Sequence, residues 1–340
     1  MENILVLGGA GFIGSNATDS LLKAGHNVTV FDNFSRVGTP VNGEWLKKNH
    51  PNIKIVKGDI RFDRKLLEEQ IKDKDLVIHM AAQIAMTRAV ANPEEDFDIN
   101  VRGTMHVLEA MRKQKSNASL IFASTNKVYG KLSHFPVVEK EKRYDYKNLP
   151  KGVPEDSPMD FNSIYACSKG ACDQYVRDYT NTYGMNTVVF RQSCIYGPRQ
   201  FGIEEQGWLS WLTIAALQNK KITLYGNGKQ VRDVLFIDDL VNAFRLAHKN
   251  ISKTRGKVFN VGGGPKFTLS LLELLDELEI LLGKKIPVSH GDWRPGDQHI
   301  FVSDISKMKE EIGWEPHVGP KEGIKRLVEW TKENQKFFPK

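Results

Sequence analysis

Short runs of uninterrupted apolar residues punctuate the first 191 positions: NILVLG (3–8), VTVF (28–31), IKIV (53–56), LVIH (76–79), LIFAS (120–124) and TVVFR (187–191). Between them lie stretches whose apolar residues recur at helical spacing, over about 12–24, 100–115 and 163–183. Strands apolar on both faces, separated by helices, are the pattern of a parallel sheet covered on both sides. The chain is therefore expected to be α/β, a doubly wound (Rossmann) parallel sheet with a smaller C-terminal lobe. After Arg191 the rhythm changes. A loop rich in Gly, Pro and Gln (197–207) leads to a Trp-containing helix, and KITLYGNGKQVRDVLF (221–236) reads as two strands around a Gly226–Asn227–Gly228 turn. VFNVGG (258–263) reads as one more sheet strand, and helices are expected near 269–282 and 322–334. The large domain is assigned residues 1–192 with a return over about 231–261; residues 193–230 and 262–340 form the smaller lobe. Segment 131–161 is polar and aromatic without a period, and a loop that long is functional or mobile.

Composition narrows the classes. With 40% hydrophobic and 26% charged residues in 340, the chain has material for a sizeable core. No apolar run approaches the roughly 20 residues of a membrane span, and the N-terminus lacks the basic start of a secretory signal, so a cytoplasmic location is expected. The three cysteines, Cys167, Cys172 and Cys194, form no CxxC pair, which argues against structural zinc, and no metal is expected. The net charge of +7 is scattered along the chain, with no basic arm for nucleic acid. It favours an anionic small molecule instead.

Candidate chemistry sits at the ends of the predicted strands. Gly8-Gly9-Ala10-Gly11-Phe12-Ile13-Gly14 directly follows the first strand and opens a helix. Gly8 permits the turn, Gly11 admits a pyrophosphate and Gly14 allows the helix to pack on the strand, while free N–H groups face the phosphates. Asp32 ends the second strand at the spacing of a ribose-binding carboxylate, which favours NAD over NADP; Arg36 nearby tempers that preference. Asn33, Ser35 and Arg36 are candidate cofactor contacts in the following turn. Asp59 either faces the adenine or caps a helix. Tyr165 and Lys169, four apart, share a helix face. An ammonium and an oxidised nicotinamide would both lower the tyrosine pKa, making Tyr165 a proton acceptor. Thr125, ending its strand beside Ser124, would hold the substrate hydroxyl. His79 reads as a packed strand-end histidine.

Together, the GxxGxxG loop, the strand-end Ser-Thr and Tyr-x-x-x-Lys resemble the extended short-chain dehydrogenase/reductases, specifically the sugar-nucleotide epimerases and dehydratases. GDI (58–60), HMAA (79–82), DINVRGT (98–104), VRDVLFIDD (231–239) and RPGD (294–297) extend the resemblance over essentially the whole chain. It implies tightly bound, unconsumed NAD held by Gly8, Gly11, Phe12, Ile13, Asp32, Asp59, Ile60, Ala81, Ala82, Asn100, Ser124, Tyr165, Lys169 and Gln192. It also implies a nucleotide-sugar site, with Arg232 and Arg294 on the diphosphate and Asp297 on the ribose; the competing reading of Arg232 is a surface ion pair with Asp233 or Asp238. Thr125, Asn126 and Cys194 would line the sugar, and Gln206, Gly207, Trp208, Thr223 and Tyr225 the base. Trp208 fits core packing equally, and Gln83 either reaches the sugar or satisfies backbone.

Dehydratases of this family carry an Asp-Glu pair after the strand-end Thr, where this chain has Asn126 and Lys127. Dehydration is therefore disfavoured and redox-neutral epimerisation remains. STNKVYG (124–130), RQSCIYGPRQFGIEEQGW (191–208) and DWRPGDQ (292–298) most resemble the branch that inverts carbon 2 of a CDP-hexose. A UDP-hexose 4-epimerase, a CDP-glucose epimerase and a non-catalytic NAD-binding regulator stay open. The resemblance also implies a homodimer or homotetramer.

Overall fold

The computed structural model describes residues 1–294 and 297–338; Pro295 and Gly296 of the RPGD string lie outside the described residues. The strands are β1 (Asn3–Leu7), β2 (Asn27–Asp32), β3 (Lys54–Lys57), β4 (Leu76–His79), β5 (Ser119–Thr125), β6 (Val137–Glu139), β7 (Tyr144–Tyr146) and β8 (Asn186–Gln192). The second half adds β9 (Cys194–Tyr196), β10 (Ile222–Tyr225), β11 (Val231–Phe236), β12 (Val258–Val261), β13 (Thr268–Ser270), β14 (Val288–Gly291) and β15 (Ile300–Phe301). The helices are α1 (Phe12–Lys23), α2 (Thr39–Asn49), α3 (Arg64–Ile71), α4 (Met86–Ala91), α5 (Pro93–Phe97), α6 (Gly103–Lys113) and α7 (Ile164–Tyr183). They continue with α8 (Trp208–Leu217), α9 (Ile237–Lys249), α10 (Ile251–Thr254), α11 (Leu271–Leu282), α12 (Ser306–Ile312) and α13 (Pro320–Glu333).

Seven strands form one parallel sheet in the order β12-β8-β5-β4-β1-β2-β3. Successive side chains of a strand point to opposite faces. Leu5, Leu7, Leu120 and Phe122 accordingly join one core, with Leu67, Val107, Met111 and Val176 from the covering helices. Ile4, Val6 and Ile121 join the other, with Ala17, Leu21, Leu240 and Phe244. That second core runs on without a break through Leu212, Leu224, Leu274 and Leu327, so the smaller lobe is packed onto the sheet. The expected doubly wound sheet is present, and β12 closes its β8 edge from far along the chain. Among the described residues no helix is long and apolar enough to cross a membrane.

The two strands expected around the Gly226–Asn227–Gly228 turn both form, as β10 and β11, and take different partners: β10 lies parallel to β14, while β11 sits among β9, β13 and β15. Gly226 (φ +82) and Gly228 (φ +76) turn the chain out of hairpin register between them. The return of 231–261 thus places β11 in this small sheet, and only β12 enters the large one. Segment 131–161 is not an irregular loop throughout. It carries the β6–β7 hairpin and is fastened to the small lobe. The Tyr144 amide donates to the Lys229 carbonyl (3.0 Å), and the Tyr146 hydroxyl to the Ile300 carbonyl (3.1 Å). Arg143 donates to Thr268 (2.6 Å) and Glu273 (3.1 Å).

Candidate active site

The candidate residues gather at the C-terminal ends of the large sheet's strands, the side on which open α/β sheets bind their ligands. Directly after β1, Gly8 takes φ +77, and a Cβ there would meet the Ala81 amide nitrogen at 2.7 Å. A Cβ on Gly14 would lie 2.2 Å from the Gly8 carbonyl oxygen, so strand end and helix touch backbone to backbone. Gly11 precedes α1 and leaves the helix N-terminus uncovered by any capping side chain. Asp32 is buried and accepts the amides of Ala10 (3.0 Å) and Phe34 (2.8 Å), one on each oxygen, with the Gly11 amide also acting on the carboxylate. Burial pushes its pKa up against those bonds.

Asp59 is no helix cap: α3 begins at Arg64. Its carboxylate accepts from Asn33 (2.8 Å) and from the Arg61 guanidinium (3.0 and 2.8 Å). Burial would raise its pKa, but Arg61 and Asn33 hold it below the usual range. Ser35 is exposed, its amide on Asn33. Arg36 leaves this turn and donates to Gln206 (2.7 Å).

Around β4 and α7, several assigned side chains turn out to be committed internally. Both ends of the Gln83 amide are used, on Asp96 (2.7 Å), the Ala85 carbonyl (3.0 Å) and the Ala85 amide (2.6 Å), so it does not reach a sugar. Asn100 ties the β4 end to α7 through the Gln83 backbone and Ser168 (3.0 Å each). The Ser124 hydroxyl is likewise committed, donating to Asp173 (2.9 Å). His79 is packed edge-on to Phe122 and bonded to Thr104 (3.1 Å); burial drives its pKa down to about 3.

Ser163 caps α7 by accepting the Ala166 amide (3.1 Å), which orients the helix carrying Tyr165 and Lys169. Both are buried, with 9% and 3% exposure. The phenol lies beside the Thr125 hydroxyl, which favours its charged form, yet burial pushes its pKa up to about 12. Contrary to expectation, the cation acting most on it is Arg36. The Lys169 ammonium, its pKa lowered to about 8 by burial, lies 4.1 Å over the Phe122 ring instead.

The small lobe supplies the facing wall. Arg232 pairs with Asp297 (2.6 Å) rather than with Asp233 or Asp238, so the carboxylate expected on a ribose holds an arginine. Arg294 lies 4.0 Å over the Tyr225 ring, with Glu204 beside both: the Tyr225 hydroxyl donates to its carboxylate (2.6 Å) and Arg294 to its carbonyl (3.1 Å). Trp208, the first residue of α8 after Gly207 (φ +79), packs against the core and points its indole N–H at Cys194 (3.4 Å). Thr223 meets Ser289 (3.3 Å), and Asn126 is buried beside Thr125.

A dinucleotide fits these residues on one observation above all. The Gln192 amide nitrogen, buried at the end of β8 in register with Thr125, has no partner among the described residues. An unpaired buried donor at that strand end awaits a ligand acceptor. Sequence reasoning missed the buried pair of Arg191 and Asp173 (2.9 and 3.1 Å), which also gathers Ser124, Tyr129 and Asn260. An arginine closing an apolar strand, TVVFR, was the available signal.

The fold and site define an extended short-chain dehydrogenase/reductase of the nucleotide-sugar type, and comparison with known proteins agrees. A family profile described as GDP-mannose 4,6 dehydratase matches residues 5–327. The chain belongs to this family of NAD-dependent nucleotide-sugar epimerases and dehydratases. It is 43% identical over 336 residues, 96% of this chain and 98% of the other, to CDP-paratose 2-epimerase of Salmonella typhi. Among solved structures, UDP-glucose 4-epimerase of Thermotoga maritima with UDP-glucose shares 30% identity at TM-score 0.83, covering 98% of this chain and 99% of that one. The dTDP-glucose 4,6-dehydratase DesIV of Streptomyces venezuelae, with NAD and TYD bound, shares 28% at 0.84, covering 99% and 98%.

Proposed function

We propose that this protein is an NAD-dependent epimerase that inverts carbon 2 of a CDP-hexose, in the manner of CDP-paratose to CDP-tyvelose. The observation that carries it is the acid–base set: a buried Tyr165 beside Thr125, with Asn126 and Lys127 on the next turn where elimination would need carboxylates. The similarity to the Salmonella typhi enzyme supports the carbon and the base.

When bound, NAD supplies a hydride acceptor that becomes the hydride donor. Gly8, Gly11 and the α1 N-terminus would hold its pyrophosphate, Asp32 its ribose and Gln192 its nicotinamide end. Thr125 orients the C2 hydroxyl. Tyr165, as phenolate, takes that proton and returns one to the alcohol of opposite configuration. Arg36 is the cation that already opposes the upward push of burial on the phenol, and Lys169, one helical turn on, would hold the nicotinamide ribose. Arg232 and Arg294 tether the nucleotide while the oxidised sugar turns over, so remote binding retains the intermediate.

The test is proton NMR of the purified protein in D2O with CDP-paratose, and separately UDP-galactose, with no cofactor added. Inversion at C2 with the original C2 hydrogen retained is the expected result. Deuterium at C2, or turnover of UDP-galactose alone, would overturn the proposal; the latter outcome would favour the 4-epimerase reading that the Thermotoga maritima structure supports.

A further inference from the structure

Lys127 follows Thr125 by two residues, and the proposed reaction gives it no work. It lies on the 3-10 turn Asn126–Tyr129, its amide donating to the Thr125 hydroxyl (3.2 Å). Its half-buried side chain has Arg232 of β11, Asp297 and Cys194 of β9 as its titratable neighbours. The two arginines assigned to the substrate's diphosphate already have carboxylate neighbours: Asp297 lies 2.6 Å from Arg232, and Glu204 3.8 Å from Arg294. The Lys127 ammonium makes no hydrogen bond or ion pair among the described residues. Lys127 and Arg232 thus share a single carboxylate, and one positive charge in the pocket is uncompensated. Withdrawing an ammonium from water without a partner is unfavourable, and an incoming anion removes that cost.

We propose that Lys127 is a substrate-binding residue that, with Arg232, receives the diphosphate of the nucleotide sugar. This rests on the nucleotide-sugar reading above. Burial and the neighbouring Arg232 lower its pKa to about 8, as expected of an ammonium held beside another cation until an anion arrives. The position also matters. Two residues from Thr125, the ammonium ties the phosphate grip to the turn that orients the reacting hydroxyl.

Calorimetric titration of the NAD-containing full-length protein with cytidine and CDP, and in parallel with uridine and UDP, tests this. In the wild type, one diphosphate is expected to bind more tightly than its nucleoside. In Lys127→Met that advantage should shrink about 10- to 100-fold, the worth of a charge-assisted hydrogen bond. Nucleoside affinity and melting temperature should hold, and Lys127→Arg should restore most of the advantage. An undiminished advantage in Lys127→Met overturns the role of Lys127 and leaves the nucleotide-sugar reading standing. No advantage for either base in the wild type overturns both.

Discussion

Replacing Tyr165 with Phe removes one oxygen from a buried site and leaves the ring's packing intact. Tyr165→Phe is expected to lower kcat by about 10²- to 10⁴-fold, the usual worth of a positioned proton acceptor, while NAD content and melting temperature stay near wild type. Steady-state assay beside an absorbance spectrum of the purified variant checks it. His79 makes the opposite kind of prediction, one about stability. Folded, it is neutral with a pKa near 3; unfolded, it titrates near 6.5. Between these values the unfolded chain binds the extra proton, so this contribution is complete above about pH 6.5 and is lost as pH falls toward 3. The loss is at most about 1.4 kcal/mol per pH unit. Urea unfolding at pH 7 and pH 5 should show a smaller drop for His79→Gln than for the wild type. The packed role of this histidine was readable from its place at the end of an apolar strand. The commitment of Gln83 and Ser124 was not, because their partners Asp96 and Asp173 stand 13 and 49 residues away.

At the scale of elements, the strand-end residues are held in place by a buried polar knot. Arg191 of β8 grips Asp173 of α7, and both are nearly inaccessible, at 3% and 0% side-chain exposure. Asp173 in turn takes the Ser124 hydroxyl of β5, and Arg191 reaches Tyr129, which donates to Asn260 of β12. Removing one partner strands the other's charge in the interior. Asp173→Ala is expected to destabilise by about 3–5 kcal/mol, whereas a paired apolar replacement of Asp173 and Arg191 recovers much of that. Chemical denaturation of the single and double variants measures both. Sequence periodicity located β1, β2, β4, β5, β8 and α7 because each buries a continuous apolar stripe. It did not locate α2 and α3, whose short, charge-rich sequences bury only a few apolar residues each. Nor did it pair β10 with β14, since that register is set by contacts across 66 residues.

On the scale of the whole molecule, the two lobes share one apolar core and the 131–161 excursion bolts the sheet side to the substrate side. That lobe was legible only as a change of rhythm, because its strands are short and its neighbours distant in sequence. One topological feature bears on how the protein is made. Six of the seven large-sheet strands are complete by residue 192, but the seventh, β12, is not synthesised until residue 261. Through that interval a nascent chain presents β8, apolar and paired only on its β5 side, as a bare sheet edge, a template for pairing with other chains. Chains stopped near residue 200 should therefore partition into aggregates on cell-free synthesis without chaperones, and chains stopped near 265 should do so less; sedimentation of the translation products reads the difference. The order of strands along the gene thus sets a window in which the ribosome-bound enzyme depends on outside protection.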